Sequence, residues 1–128
     1  WVSIADGLPA DFGFVMLAHP HTGGTLWTIP LVADGERIPP GGELAVYRST
    51  DAGESWTRQD TGLPRSEYNA VLRDAAAVDT AEPAGVYFGT RAGDVYASAD
   101  EGGTFALVAS NLPDVLCVRA APLGSQVP

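Results

Sequence analysis

The chain has 128 residues, an ordinary length for a single domain, and its sixteen acidic residues outnumber seven basic residues. All seven are arginines, and the formal net charge is −9. A surface of this sign repels phosphate backbones and anionic membranes, so we expect neither nucleic acid nor membrane as a partner. The lone Cys117 excludes an intrachain disulfide, and no signal peptide or bilayer-spanning apolar run is visible. These observations favour a cytoplasmic location, unless a targeting signal precedes Trp1.

The predicted elements are short strands separated by turns, and they fall into two sets of four, with one isolated strand before and one after. Pro30 either weakens the strand that contains it or marks a bulge. The alanine run 75–77, taken alone, would also suit a helix. In chain order the predicted strands are 1–5; then 14–18, 26–32, 44–49 and 56–60; then 70–78, 86–90, 95–98 and 105–109; and finally 115–120.

An eight-residue motif, Ser-x-Asp-x-Gly-x-x-aromatic, occurs twice. Alternating apolar residues flank both copies, so each motif is predicted to be the turn of a β-hairpin. The aspartate can accept backbone N–H groups, the glycine can take positive φ, and the aromatic residue can bury a large face. The defining residues are Ser49, Asp51, Gly53 and Trp56 in the first copy, and Ser98, Asp100, Gly102 and Phe105 in the second.

The spacing that follows each motif indicates a third, incomplete copy that begins at Trp1. The aromatic residue recurs after 55 and then 49 residues, which fits a four-stranded repeat with loop insertions. A leucine stands seven residues after each aromatic residue: Leu8 after Trp1, Leu63 after Trp56 and Leu112 after Phe105, in Gly-Leu-Pro, Gly-Leu-Pro and Asn-Leu-Pro.

The two motifs resemble the Asp-box, or BNR repeat, of sialidases and other β-propellers. The phrases at 71–75, 85–90 and 98–102 also resemble bacterial sialidase-like proteins near their C-terminal end. The resemblance implies an all-β portion of a β-propeller, with two four-stranded antiparallel blades plus single strands of the neighbouring blades. Residues 1–9 would be the last strand of a truncated preceding blade, and residues 10–64 the first blade. Residues 65–113 would be the second blade, and residues 114–128 the first strand of the next blade with a tail.

Two blades cannot close a ring, because propellers need about four to eight. The expected partners are therefore neighbouring blades, either of the same parent chain or of further copies of this chain. The start within a motif favours a piece of a longer propeller over a ring of copies.

The resemblance also implies where ligands bind. In such propellers the Asp-boxes lie at the outer rim, and the loops between strands two and three and between blades form the opposite, functional face. The resemblance would place Arg73 and Asp74 on an innermost strand, where they could line the channel. The binding candidates are Asp34, Glu36 and Arg37, then Arg91 and Asp94, together with Asp11, Phe12 and Asp114 from the links between blades.

A sialidase-type site needs three arginines on a carboxylate, a tyrosine nucleophile activated by a glutamate, and an acid/base aspartate. The residues that could supply these roles are Arg65, Arg73 and Arg91 for the clamp, with Glu67, Tyr68 and Asp74 as the further candidates. However, neighbouring strand residues point to opposite faces, so Glu67 is badly placed to activate Tyr68. Arg73 beside Asp74 is also compatible with a structural ion pair.

No metal or cofactor is predicted. His19 and His21 would share a face in a strand, but Pro20 and the lack of a third ligand at diagnostic spacing favour surface or turn histidines. The 51–54 turn lacks the oxygen ladder of a calcium loop. Cys117 lies in an apolar run and is predicted to be a small core residue.

Two functions are compatible with this pattern. The first is a scaffold or a surface that binds a glycan or a protein, with no complete active site in this chain. The alternative is part of an exo-α-sialidase-like glycoside hydrolase whose other site residues lie outside the chain.

Overall fold

The computed structural model describes residues 1–123, which form two four-stranded antiparallel sheets, each with its strands in sequential order. This confirms the predicted all-β class and the two sets of four strands. None of the described helices is long and apolar enough to cross a membrane. The first sheet consists of β1 (Phe12–Ala18), β2 (Leu26–Leu31), β3 (Val46–Ser49) and β4 (Thr57–Gln59), with a short 3-10 turn at Pro40–Gly42. The second consists of β5 (Ala76–Val78), β6 (Val86–Gly89), β7 (Val95–Ser98) and β8 (Ala106–Ala109).

One hydrophobic cluster joins the two sheets. Successive strand side chains point to opposite faces, so Trp27 and Ile29 share one face of β2, and Val86 and Phe88 share one face of β6. All four are buried members of the same cluster. Burial of each such side chain contributes about 1.5–3 kcal/mol, so the contact between the sheets is a main source of stability.

Pro30 lies opposite a bulge in β1. Of the two predicted alternatives, a weakened strand or a bulge, the structure has the bulge. The register between β1 and β2 shifts between Phe12 and Val15. Pro30 has no N–H to donate to a regular ladder, and the bulge removes the demand for one. Gly13 lies in the bulge, where a Cβ atom would be 2.9 Å from the carbonyl oxygen of Ile29.

Three of the predicted strands differ most from the structure, and one of them had included Arg73 and Asp74, which lie in a turn. Residues 1–5 and 115–120 form no strand, and the strand predicted at 70–78 is shortened to β5. A strand needs a neighbour with which to exchange a ladder of hydrogen bonds. The 115–120 segment instead makes two separate backbone bonds to the second sheet, from Val115 N to Thr90 O and from Val118 N to Asp74 O.

The prediction that Cys117 is a core residue was wrong, because its side chain is exposed. Strand alternation would have buried residues 115 and 117 together. In the structure, Val115 is buried and Val118 is half-buried, so the buried positions are three residues apart and Cys117 points outward.

The leucine-containing segments share one backbone feature in all three places where the sequence repeats. The residue before each leucine has positive φ: 91° at Gly7, 89° at Gly62 and 60° at Asn111. At Gly62 a Cβ atom would also overlap the carbonyl oxygen of Phe105. The spacing in the sequence therefore corresponds to a repeated positive-φ position. The hydrogen bonding differs in the last copy, because the N–H groups of Leu8 and Leu63 close their own turns, whereas the Leu112 N–H donates to Gly93 O.

Candidate functional site

The first Ser-x-Asp-x-Gly motif is the turn between β3 and β4, closed by its own side chains. The Ser49 hydroxyl donates to Asp51 Oδ1 (2.7 Å) and accepts the Gly53 N–H (2.8 Å). Asp51 Oδ1 also accepts the Ser55 N–H (2.8 Å), and Oδ2 accepts the Ser55 hydroxyl. The hydrogen bonds from the side chains of Ser55 and Ser49 and from the Ser55 N–H lower the pKa of Asp51 to about 2.

The second motif, between β7 and β8, repeats these bonds. Ser98 Oγ donates to Asp100 Oδ1 (2.7 Å) and accepts the Gly102 N–H (2.8 Å). Thr104 takes the place of Ser55, with its N–H and hydroxyl each 2.8 Å from the Asp100 carboxylate. The bond from Ser98, followed by those from Thr104, lowers the pKa of Asp100. Both carboxylates are engaged within their own turns, which makes them structural groups.

Each motif contains a second residue with positive φ that the sequence pattern did not reveal. Besides Gly53 and Gly102, with φ of 90° and 91°, the preceding residues Ala52 and Glu101 both have φ of 60°. A non-glycine residue in this region is uncommon. At Glu101 the conformation directs a long acidic side chain out of the hairpin.

Glu101 joins the second sheet to the first. Its Oε2 lies 2.9 Å from His19 Nε2, its Oε1 accepts Arg48 Nη2 at 2.7 Å, and its carbonyl oxygen accepts Trp27 Nε1 at 2.9 Å. The His19 ring stacks on Trp27 with 5.8 Å between centroids. We call His19, Trp27 and Arg48 the Glu101 socket.

His19 fits the turn alternative of the prediction and not the surface one, since it follows β1 in the turn and only 1% of its side chain is exposed. His21 is exposed, and its Nε2 contacts the carbonyl oxygen of Thr80 at 3.0 Å. The sequence could not show this burial, because the partner of His19 is 82 residues away in the chain.

The ligand atoms of His19, Glu82 and Glu101 lie within 4.8 Å of one another, close enough to test as a metal centre. His19 Nδ1 accepts N–H groups from His21 (3.0 Å) and Thr22 (3.1 Å). The hydrogen-bond network therefore assigns the proton to Nε2, which donates it to Glu101. A metal ion would need that nitrogen's lone pair and would lie beside the Arg48 guanidinium. The cluster fits an ion-pair junction better than a metal centre.

Four of the sequence-predicted positions converge on one open pocket of about 390 Å³ at the loop end of the sheets. Arg37 pairs with Asp34 (2.8 Å), and Arg91 pairs with Asp114 (2.9 Å). Both pairs are exposed, so their energetic contribution is small, but they present donors and acceptors in defined positions. The pocket is lined by Arg37, Tyr68, Asn69, Ala70, Arg91 and Asp114.

A second pocket adjoins the first through Arg37. The Arg37 guanidinium lies 4.9 Å from the centre of the Phe14 ring, and that of Arg73 lies 5.9 Å from the same ring. Asp74 lines this second pocket too and pairs with Arg119 at 3.2 Å. We call the surface formed by Phe14, Arg37, Tyr68, Arg73 and Arg91 the arginine face.

Glu67 and Tyr68 are oriented differently, in keeping with the alternation expected of neighbours. Glu67 is buried, and its Oε1 accepts the backbone N–H and the side-chain amide of Asn69, both at 2.9 Å. Tyr68 is 61% exposed, with its ring over Gly42. Glu67 thus acts as a turn cap.

Except for Phe12, whose ring packs edge-on against that of Phe14 with 5.2 Å between centroids, the remaining candidates lie apart from the arginine face. Arg65 lines a separate depression with Arg58 and Asp60, and the Asp94 carbonyl closes the β6–β7 turn by accepting the Thr90 N–H. Glu36 closes its own loop through backbone bonds with Ala33. Asp11 and Phe12 line a pocket beside Trp56.

Comparison of the chain with protein-family models and with curated protein sequences gives no significant match. The class of this protein is therefore defined by its own architecture: an all-β protein with two four-stranded antiparallel sheets. A repeated Ser-x-Asp-x-Gly hairpin lies between the third and fourth strands of each sheet.

Proposed function

We propose that this chain is a portion of a sialidase-like, Asp-box β-propeller that acts as a scaffold and presents a glycan-binding surface, without a complete active site. The repetition of one motif, with the same hydrogen bonds, between the third and fourth strands of both sheets supports the propeller assignment. Consecutive sheets that pack face to face are the arrangement in which blades follow one another.

The binding function rests on one observation, the convergence of Arg37, Tyr68 and Arg91 around a single pocket. Sugar hydroxyls need both donors and acceptors, which the Arg37–Asp34 and Arg91–Asp114 pairs supply together. Tyr68 adds an exposed aromatic face with a polar tip, a feature enriched at binding surfaces. A glycan matches this combination better than a purely apolar ligand does.

The three arginines of the arginine face support the hydrolase alternative. The surroundings of Tyr68, the candidate nucleophile, oppose it. A tyrosine nucleophile needs an adjacent base. The Glu67 carboxylate is buried and engaged by Asn69. Non-catalytic binding is therefore the function that this geometry supports best.

The test is a titration of the 15N-labelled 128-residue chain with 3′-sialyllactose, with lactose as the uncharged comparison. We expect amide shifts centred on residues 37, 68 and 91, and loss of those shifts in Tyr68→Ala. Arg58→Ala, which changes an arginine away from the arginine face, is the matched control and should leave the shifts intact.

Release of free sialic acid in the same samples would favour the hydrolase. If neither sugar shifts residues of the arginine face at millimolar concentration, the glycan-binding function is wrong.

A further inference from the structure

The two sheets are equivalent residue by residue at the edge where Glu101 docks. The His19 N–H donates to Thr25 O at 2.9 Å, and the Asp79 N–H donates to Gly85 O at 2.9 Å. Each of these two side chains also accepts the N–H of the residue two positions later. Asp79 therefore occupies in the second sheet the position of His19 in the first.

The strand registers extend this equivalence to the rest of the socket. Trp27 pairs with Arg48 across β2 and β3, and Tyr87 pairs with Ala97 across β6 and β7. Leu26 and Val86, one residue earlier, pair with the motif serines Ser49 and Ser98. The counterparts of His19, Trp27 and Arg48 are therefore Asp79, Tyr87 and Ala97, which we call the second socket.

The first socket is filled by a hairpin, whereas no hairpin of residues 1–123 fills the second. Asp79 and Tyr87 instead border an open pocket of about 500 Å³. Its wall is largely apolar and includes Val95, Val118 and Ala120. Arg119 also lines it, and its guanidinium is paired with the carboxylate and the carbonyl oxygen of Asp74.

The two sockets have opposite charge. The first presents Arg48 and a histidine donor to the Glu101 carboxylate. In the second, Asp79 replaces the histidine and Ala97 replaces the arginine. Burial opposes ionisation of Asp79, but hydrogen bonds from Tyr87 Oη and the N–H groups of Gly85 and Ala81 together lower its pKa. Oδ2 accepts only the Tyr87 hydroxyl among described residues, which leaves room for another donor.

We propose that the second socket binds a β-hairpin with an Asp-x-Gly turn whose x residue, the counterpart of Glu101, is cationic. The hairpin would place its x side chain against Asp79, as Glu101 places its own against His19. A glutamate at x would face the Asp79 carboxylate without the Arg48 counterpart, so like-charge repulsion would reject it. This inference rests on the equivalence of the two sheets and is independent of the glycan-binding surface.

The probe is a disulfide-cyclised hairpin peptide with the sequence of residues 95–108, made with the native Glu101 and as Glu101→Arg. Each peptide is titrated into the 15N-labelled 128-residue chain. We expect the arginine peptide to shift the amides of residues 79–81 and 87 and to bind about tenfold more tightly than the glutamate peptide. Equal affinity, or no shift at these residues with either peptide, would overturn the proposal.

A grafted socket gives the reciprocal test. Asp79→His combined with Ala97→Arg rebuilds the Glu101 socket on the second sheet, so the preference should reverse and the native Glu101 peptide should bind more tightly. Ala97→Arg alone leaves the Asp79 turn intact and should also shift the preference toward the native Glu101 peptide. This single variant can be measured even if the double variant does not fold. Asp94→Asn, a charge change outside the socket, should leave the preference unchanged. An unchanged preference in both folded socket variants would contradict the proposal.

Discussion

His19 Nε2 and Glu101 Oε2 lie 2.9 Å apart, although the two residues are 82 positions apart in sequence and belong to different sheets. With Arg48 and Trp27, they connect the tip of one hairpin to the face of the preceding sheet. The contact couples the two sheets through one buried side chain, His19, and two partly buried charged side chains, Glu101 and Arg48.

Replacement of Glu101 by glutamine should destabilise the chain by about 2 kcal/mol, because charge-assisted bonds are lost while the size of the side chain is kept. The measurement is the free energy of unfolding from urea denaturation. Glu54→Gln, which changes an exposed glutamate at a variable position of the first motif, is the control. If both variants lose the same stability, the Glu101 junction contributes nothing specific.

The stabilisation from Glu101 should disappear in acid. The hydrogen bond from His19, then that from the Ala84 N–H and the charge of Arg48, lower the pKa of Glu101 below its ordinary 4.5 against the opposing effect of burial. A lowered folded-state pKa means that this stability is present above pH 4.5 and is lost as pH falls through the folded-state value. Urea denaturation at successive pH values should show the difference between the native chain and Glu101→Gln shrinking only below that point. A difference that does not change with pH would contradict this.

The two motif serines should contribute equally to the free energy of unfolding. Ser49 and Ser98 are both buried and make the same three hydrogen bonds, so Ser49→Ala and Ser98→Ala should each cost about 1–2 kcal/mol in the free energy of unfolding. Ser3→Ala, at an exposed serine outside the motifs, should change it by less than about 0.5 kcal/mol. A large inequality between the two motif variants would show that the turns are not equivalent energetically.

The Asp51 carboxylate should titrate at about pH 2 when its side-chain carbon is followed by 13C NMR. In Ser55→Ala the midpoint should move upward, because the largest contribution to the lowered pKa is the Ser55 hydroxyl. An unchanged midpoint in this variant would contradict the hydrogen-bond assignment.

Gly62→Ala should be among the most damaging single substitutions, with a cost of about 2–4 kcal/mol. The residue has φ of 89°, and a Cβ atom would overlap the Phe105 carbonyl oxygen. Gly35→Ala is the matched control, because a Cβ atom there meets nothing within 4 Å. Thermal denaturation of both variants would decide, and similar melting temperatures would contradict the prediction.

Most of the fold could be predicted from local patterns. The hairpins at the two motifs, the bulge opposite Pro30 and the four-strand sets all follow from short-range periodicity and turn chemistry, which act over a few residues. The prediction failed for Cys117 and for the strands at 1–5 and 115–120, because alternation in a sequence cannot show whether a strand has a partner. Arg37 and Arg91 were correctly predicted to lie in loops. The sequence did not show which of the loop residues share a pocket.

The sequence by itself determined the repeat: the motif serines and aspartates, the positive-φ positions at Gly53 and Gly102, and the seven-residue spacing to each leucine. These depend on bonds between residues at most a few positions apart. Only the tertiary structure decided that Glu101 docks into His19, Trp27 and Arg48, and that Arg37, Tyr68 and Arg91 surround one pocket. Such contacts join residues tens of positions apart, and their geometry is set by how one sheet packs on the next.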